Sequence, residues 1–200
     1  QVCQEEIVEL VVTWPDELEA AINEVNPVLC NGESNGSIIV SEVTGGTEPY
    51  QYAWYVDSNS GGSDFDLDGN TEILFSDSGP NLIDAPSGVY TLIITDANDC
   101  EYIIQNENSV ITEPDELEAE VVTLPASCAG SDDGSVDLTI TGGTEPYEID
   151  WAGIDPDAVS AGTYIATVTD FNDCELPVEF TITEPDALEA EVVASPTSCA

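Results

Sequence analysis

The 200-residue chain repeats itself, which constrains its fold because each copy must bury an apolar face of its own. The phrase Pro-Asp-x-Leu-Glu-Ala starts at Pro15, Pro114 and Pro185, and Gly-Gly-Thr-Glu-Pro-Tyr starts at Gly45 and Gly142. Three further pairs of motifs follow in the same order: Trp54 and Trp151, Gly88-Val89-Tyr90 and Gly162-Thr163-Tyr164, and Asp96 to Cys100 and Asp170 to Cys174. The chain is therefore a tandem array.

The register of these motifs predicts the domain boundaries. We expect residues 1–14 to be the final strand of a preceding repeat, 15–112 and 113–184 to be two complete repeats, and 185–200 to be the first strand of a following one. The first repeat is longer, with 99 positions from Pro15 to Pro114 against 71 from Pro114 to Pro185. Most of the difference lies between the Trp and the Gly-x-Tyr, which places an acidic insertion near residues 57–81.

Apolar residues alternate with polar ones along the repeats, as in half-buried antiparallel strands. Val136, Leu138 and Ile140 alternate with acids and threonines. The segment from Leu117 to Leu124 contains helix formers, but its β-branched residues favour a strand. Five to seven short strands per repeat, separated by Gly-containing turns, predict an all-β fold of tandem immunoglobulin-like antiparallel β-sandwiches.

The aromatic residues of the motifs fit positions in the core of such a sandwich. A Trp on the third strand, Trp54 or Trp151, is expected to fill the core. Tyr90 and Tyr164, each at the start of a late strand after a Gly, are expected to form tyrosine corners. We therefore interpret all four as structural core residues and not as ligand-binding ones.

The charge balance excludes several classes of function. The chain has 42 Asp and Glu, no Lys, Arg or His, and a net charge of −42. It cannot neutralise the phosphates of nucleic acid, so nucleic acid is not expected as a partner. No apolar run reaches the roughly 20 residues of a membrane helix, so membrane insertion is not expected. We expect no enzyme, because the chain offers no His or Lys base and no cationic clamp.

Six cysteines in an acidic chain predict disulfide bonds and an oxidising compartment. Since equivalent positions should pair equivalently, the repeat predicts the bonds Cys30–Cys100 and Cys128–Cys174, with Cys3 and Cys199 unpaired within the chain. A rival pairing, Cys100 with Cys128, would join neighbouring repeats.

Calcium is the one cofactor candidate, and none is strictly required. In the insertion, Asp64, Asp66 and Asp68 alternate and are followed by Gly69, as in the first half of a calcium loop, and Glu72 could add a ligand. The match is incomplete because the twelfth position is Phe75, and an acidic surface loop is the simpler alternative. The acids that flank Pro114 and Pro185 form a second candidate, a cation site at the repeat junctions.

Together these motifs resemble the SprB-type repeat of large bacterial cell-surface adhesins. The resemblance rests on Cys-x-Gly-x-x-x-Gly-Ser (Cys30 to Ser37 and Cys128 to Ser135), Gly-Gly-Thr-Glu-Pro-Tyr, Trp, Gly-x-Tyr, Asp-x-Asn-Asp-Cys and Ile-Thr-Glu-Pro. The stretch from the Gly-Gly to the Trp is also similar to polycystic-kidney-disease-type sandwiches. The chain departs from the pattern at Asp99 and Asp173, where such repeats usually have Gly.

The resemblance implies a secreted protein at a bacterial cell surface or outside the cell. We expect a structural or adhesive repeat region of a filament or stalk, used in adhesion or gliding, with neighbouring repeats or copies of the chain as partners. The alternative is a carbohydrate- or ligand-binding module presented by the insertion of the first repeat, where Tyr55, Phe65 and Phe75 would contact surface glycans.

Overall fold

A computed structural model describes residues 14–57, 72–76, 79–105 and 109–193, with the backbone alone for 57 and 72–76. The described residues are strands, turns and loops, which confirms the all-β prediction. They contain no helix, and so none long and apolar enough to cross a membrane. The chain divides into two compact units between Glu113 and Pro114, and each contains one of the repeats.

The first unit is a sandwich of two antiparallel sheets. Its eight strands are β1 (Ile22–Asn26), β2 (Gly36–Val40), β3 (Gln51–Asp57), β4 (Glu72–Ser76), β5 (Leu82–Ala85), β6 (Gly88–Thr95), β7 (Glu101–Ile104) and β8 (Val110–Ile111). One sheet has the order β1-β2-β5, and the other has the order β4-β3-β6-β7, with β8 also paired to β6. Apolar side chains from both sheets form a single buried cluster, including Ile38, Trp54, Leu92 and Ile94.

The second unit is a smaller version of the same arrangement. Its strands are β9 (Glu118–Leu124), β10 (Ser135–Thr141), β11 (Glu148–Asp150), β12 (Gly162–Thr169) and β13 (Glu175–Ile182). β9 pairs with β10, and β11, β12 and β13 form the second sheet. Side chains alternate as expected along β10, with Val136 buried and Asp137 exposed. β9 is a strand despite its helix formers because seven of its residues pair in register with β10.

The insertion contributes an edge strand to the first unit. β4 lies within residues 57–81 and pairs antiparallel with the outer side of β3, with Glu72 opposite Asp57. The first repeat has more than the expected five to seven strands for this reason, and because its last segment forms β7 and β8 where the second repeat has the single strand β13. In the second repeat β11 is short and has no strand on its outer side among the described residues.

The aromatic residues of the motifs lie in or against the two cores. Trp54 and Tyr90 are fully buried, and the Tyr90 hydroxyl donates to the carbonyl of Pro86 (2.9 Å), as a tyrosine corner does. Burial raises the pKa of Tyr90 to about 12. Trp151 and Tyr164 are half-buried and pack on Phe180, with ring centroids 6.1 Å and 5.7 Å from it.

Truncating Trp54 tests how far the first core depends on this ring. We expect Trp54→Ala to cost about 3–5 kcal/mol, as for other buried aromatics, and Trp151→Ala to cost less because that ring is half-buried. The indole Nε1 of Trp54 has no hydrogen-bond partner among the described residues. Trp54→Phe removes this donor and recovers about 1–3 kcal/mol of its desolvation cost, so it should cost less than about 2 kcal/mol.

Urea unfolding of the whole chain, followed by circular dichroism, measures these differences. Equal costs for the two alanine variants would contradict the different burial of the two rings.

Candidate functional site

Each repeat has two chemically different ends, which we call the entry end and the exit end. The entry end of the first repeat holds its first residues, since the Gly46 N–H donates to the Asp16 carbonyl (2.8 Å). The exit end holds its last residues, since the Val28 N–H donates to the Thr112 carbonyl (2.9 Å). In the second repeat, Gly143 with Asp115 and Ala126 with Thr183 make the same contacts.

A buried carboxylate organises the entry end of the first repeat. Asp96 is 1% exposed, and its Oδ1 accepts the N–H groups of Asn98 (2.8 Å) and Cys100 (2.9 Å). Its Oδ2 accepts the Thr47 N–H (2.9 Å), which joins the β6–β7 turn to the Gly-Gly loop. These donors, with Cys100 the largest contributor, lower the pKa of Asp96 because they stabilise its charged form.

The second repeat reproduces this arrangement atom for atom. Asp170 accepts the N–H groups of Asn172 (2.8 Å), Cys174 (2.9 Å) and Thr144 (2.8 Å). The Asn172 amide also donates to the Thr144 hydroxyl (3.0 Å), as Asn98 does to Thr47 in the first repeat (2.8 Å). The Asp-x-Asn-Asp-Cys motif is therefore a hydrogen-bonding device that holds the Gly-Gly-Thr loop.

The Gly-Gly pair lets this loop approach the start of the repeat. Gly45 has φ +71°, and a Cβ there would lie 1.8 Å from the Glu17 carbonyl oxygen. Gly142 is equivalent, with φ +71° and the same separation from the Glu116 carbonyl oxygen. The Tyr of the same motif closes the loop, because the Tyr50 hydroxyl donates to the Gly45 carbonyl (2.6 Å).

Asp99 and Asp173 each precede the cysteine of an entry-end turn. Their φ angles are 63° and 64°, in the left-handed region that Gly, Asn and Asp enter most readily. The Asp99 N–H donates to the Asp96 carbonyl (3.1 Å), and the Asp173 N–H does the same to Asp170 (3.2 Å). Each Asp therefore fits the turn geometry and adds one negative charge to its entry end.

A glutamate organises the exit end. Glu113 Oε2 accepts the Gly32 N–H (2.8 Å), and Glu184 Oε2 accepts the Gly130 N–H (2.6 Å). The Gly32 N–H, together with Ser87, lowers the pKa of Glu113. The Glu of each Ile-Thr-Glu-Pro motif thus holds the Cys-x-Gly turn of its own repeat. Glu113 and Glu184 are therefore already engaged as hydrogen-bond acceptors, so they are not free ligands for the cation site predicted at the repeat junctions.

The predicted disulfides within each repeat were wrong. Cys100 and Cys128 are exposed free thiols, whereas Cys30 and Cys174 are each disulfide-bonded. The bonds Cys30–Cys100 and Cys128–Cys174 are therefore not formed, and neither is the rival bond Cys100–Cys128. Cys3 and Cys199 lie outside the described residues.

The two cysteines of one repeat are too far apart to pair. Cys30 lies in the turn held by Glu113 at the exit end, where β6 begins, and Cys100 follows the entry end, where β6 finishes. β6 has eight residues, a span of about 23 Å at about 3.3 Å per residue, whereas bonded cysteines have Cα atoms within about 7 Å. β12, also eight residues long, separates Cys128 from Cys174 in the same way.

The calcium site predicted in the insertion stays a prediction. Asp64, Asp66 and Asp68 lie outside the described residues, and Glu72 is placed only by its backbone in β4. Within the described ranges, no three acidic or cysteine side chains gather in a group that could hold a metal ion. The acids at the repeat ends are instead arranged to accept backbone N–H groups.

The glycan-binding alternative also stays a prediction. Tyr55 is half-buried on β3, Phe65 lies outside the described residues, and the Phe75 side chain is not described. Of these three aromatic residues, only Tyr55 has a described side chain.

Gly45→Ala tests the close approach at the entry end, with Gly32→Ala as its control. Both glycines have positive φ, but a Cβ at Gly32 would meet nothing within 4 Å. We expect Gly32→Ala to cost about 1–2 kcal/mol from backbone strain alone, and Gly45→Ala to cost at least about 2 kcal/mol more from the clash with Glu17. Urea unfolding measures both, and equal costs would show that the approach is unimportant.

Asp96→Asn tests the buried carboxylate, with the exposed Asp84→Asn as a charge-matched control. Because the folded pKa of Asp96 is lowered, its contribution to stability is present above its unfolded pKa and is lost as pH falls through the folded value. We expect Asp96→Asn to lower the melting temperature at pH 7, and its deficit against Asp84→Asn to shrink as the pH falls below 4. A deficit that is constant from pH 7 to pH 2 would contradict this.

Comparisons with known proteins agree with these motifs. The family model described as SprB repeat matches residues 22–59 and 121–156, one stretch in each unit, from the first strand to the Trp and just beyond. No curated protein and no solved structure matches the chain. The predicted resemblance is confirmed: the chain is similar to the SprB repeat over one stretch in each unit.

Proposed function

We propose that these repeats are a load-bearing part of an extracellular filament or stalk on a bacterial surface, serving adhesion or gliding. The SprB repeat is a structural repeat of surface proteins, which supports the location and argues against catalysis. The absence of any Lys or Arg supports it further, because trypsin-like proteases outside the cell have no cleavage site.

One observation carries the mechanical role: each repeat is fastened at the points where the chain enters and leaves it. At the entry end, Glu19 and Thr44 exchange two backbone hydrogen bonds (2.9 and 3.0 Å). At the exit end, Thr112 and Glu113 accept N–H groups from Val28 and Gly32 (2.9 and 2.8 Å).

The two fastenings lie at opposite ends of strands that run between them. A pull on the chain therefore loads the backbone hydrogen bonds of the terminal strands along the strand direction, so many must break together. Since each repeat contains its own pair of fastenings, tension passes through the array one repeat after another.

Force spectroscopy of the whole chain tests this role. With the disulfides reduced, and at about 3.6 Å per residue, opening the 99-position first repeat should release about 350 Å and the 71-position second repeat about 250 Å, so the two events can be told apart. We expect Glu113→Ala to lower the unfolding force of the first repeat only, and Glu184→Ala that of the second only. Glu42→Ala, at an exposed loop position, is the control.

Pulling the first repeat between Glu17 and Glu101, both at the entry end, would instead peel the strands apart from that end, so their backbone hydrogen bonds would break one at a time. We expect a clearly lower force in this geometry. Equal forces in the two geometries would contradict a load-bearing design, and failure of an antibody against the repeats to label intact, unpermeabilised cells would contradict the surface location.

A further inference from the structure

The two disulfide-bonded cysteines belong to the ends of the repeats that the chain joins. Cys30 lies at the exit end of the first repeat, in the turn whose Gly32 N–H donates to Glu113 (2.8 Å). Cys174 lies at the entry end of the second repeat, where its N–H donates to Asp170 Oδ1 (2.9 Å). Both cysteines are disulfide-bonded, so each sulfur has a sulfur partner outside its own repeat.

The chain passes between these two ends through one residue, Pro114. Glu113 before it accepts the Gly32 N–H in the first repeat, and the carbonyl of Asp115 after it accepts the Gly143 N–H (2.8 Å) in the second. Two consecutive Cα–Cα steps span at most about 7 Å, so the covalent chain alone keeps Glu113 and Asp115 that close. The hydrogen bonds that define the two ends therefore begin within one residue of each other.

The free thiols lie at the opposite ends of the two repeats. Cys100 is at the entry end of the first repeat and Cys128 is at the exit end of the second. The eight-residue strands β6 and β12 separate them from the junction by about 23 Å, whereas bonded cysteines need Cα atoms within about 7 Å. Of the four described cysteines, Cys30 and Cys174 are thus the pair that the junction brings together, and they are the bonded ones.

We propose that Cys30 and Cys174 bond each other across the junction, and that this disulfide carries tension past the residues between them. This inference rests on the proposed load-bearing function and names the covalent path that the load takes. Residues 31–173 form a closed loop, so a pull on the chain cannot lengthen them while the bond is intact. The loaded path runs from Pro15 to Cys30, crosses the two sulfur atoms and continues from Cys174 to Glu184.

Each repeat keeps one terminal strand in this path. β1 lies between Pro15 and Cys30 and pairs with β2, and β13 lies between Cys174 and Glu184 and pairs with β12. A pull still loads both strands along their length, so their backbone hydrogen bonds resist it together. The bond therefore limits how far the two repeats can be drawn out without removing their resistance.

Single-molecule extension of the whole chain, with and without dithiothreitol, tests the proposal. Cys3→Ser and Cys199→Ser are present throughout and remove the other two sulfur atoms as partners. Dithiothreitol supplies the two electrons and two protons that return one disulfide to two thiols. At about 3.6 Å per residue, the oxidised chain should release about 90 Å between Pro15 and Pro185, and the reduced chain about 600 Å.

Serine variants of the bonded and of the free cysteines are matched controls. Cys30→Ser or Cys174→Ser should give the full release even without dithiothreitol. Cys100→Ser combined with Cys128→Ser removes only free thiols and should keep the short release. Cleavage after Glu, followed by mass spectrometry, should give a reductant-sensitive pair of peptides that contain Cys30 and Cys174.

Two outcomes would overturn the proposal: an oxidised chain that releases as much length as the reduced one, or a bond from Cys30 to any cysteine other than Cys174. If the reduced chain still unfolds at high force in those cases, the load-bearing function stands without the junction disulfide. Equal, low forces for the reduced chain in the two pulling geometries would contradict the load-bearing function itself, whatever length the oxidised chain releases.

Discussion

The buried carboxylates of Asp96 and Asp170 are the interaction on which each repeat depends. A chain without Lys, Arg or His cannot neutralise a buried acid with an ion pair. The three backbone N–H groups that donate to each carboxylate therefore offset the desolvation cost of burying its charge. They also connect two segments about 50 residues apart in the first repeat, since Thr47 belongs to the loop after β2 and Asp96 to the turn after β6. Gly46, whose missing Cβ would lie 3.2 Å from Asp96 Oδ2, leaves room for this carboxylate, and the positive φ of Asp99 shapes the turn that supplies the Cys100 donor.

The same hydrogen bonds make the two ends of each repeat chemically different. An aspartate holds the entry end, a glutamate holds the exit end, and an eight-residue strand separates them. Both acids hold a turn that contains a cysteine, so the chemistry of the ends and the position of the sulfur atoms are set together. A unit with two different ends can be joined to further units in one direction, as the proposed filament requires.

The sequence predicted the fold well because strand formation depends on local patterns. Alternation located β10, and the Trp and Gly-x-Tyr motifs located the core residues Trp54 and Tyr90. The disulfides failed because repeat symmetry requires only that equivalent cysteines behave alike. Repeat symmetry holds whether Cys30 bonds Cys100 or each of them bonds a cysteine of another repeat. Only the length of β6, which separates Cys30 from Cys100, excludes the first alternative. The strand β4 was missed because the acidic composition of the insertion masks its short apolar run, Ile73 to Phe75.

Uniform negative charge makes the covalent and hydrogen-bonded contacts more important than they would be in an ordinary surface protein. Every repeat repels its neighbours, and the Debye length of about 8 Å at physiological salt leaves this repulsion effective wherever two ends meet. Asp99 and Asp173 increase it at the entry ends, where both residues adopt the left-handed conformation of the turn. The hydrogen bonds that Asp96 and Glu113 accept from the backbone act at short range within one repeat, so they hold its two ends folded against this repulsion.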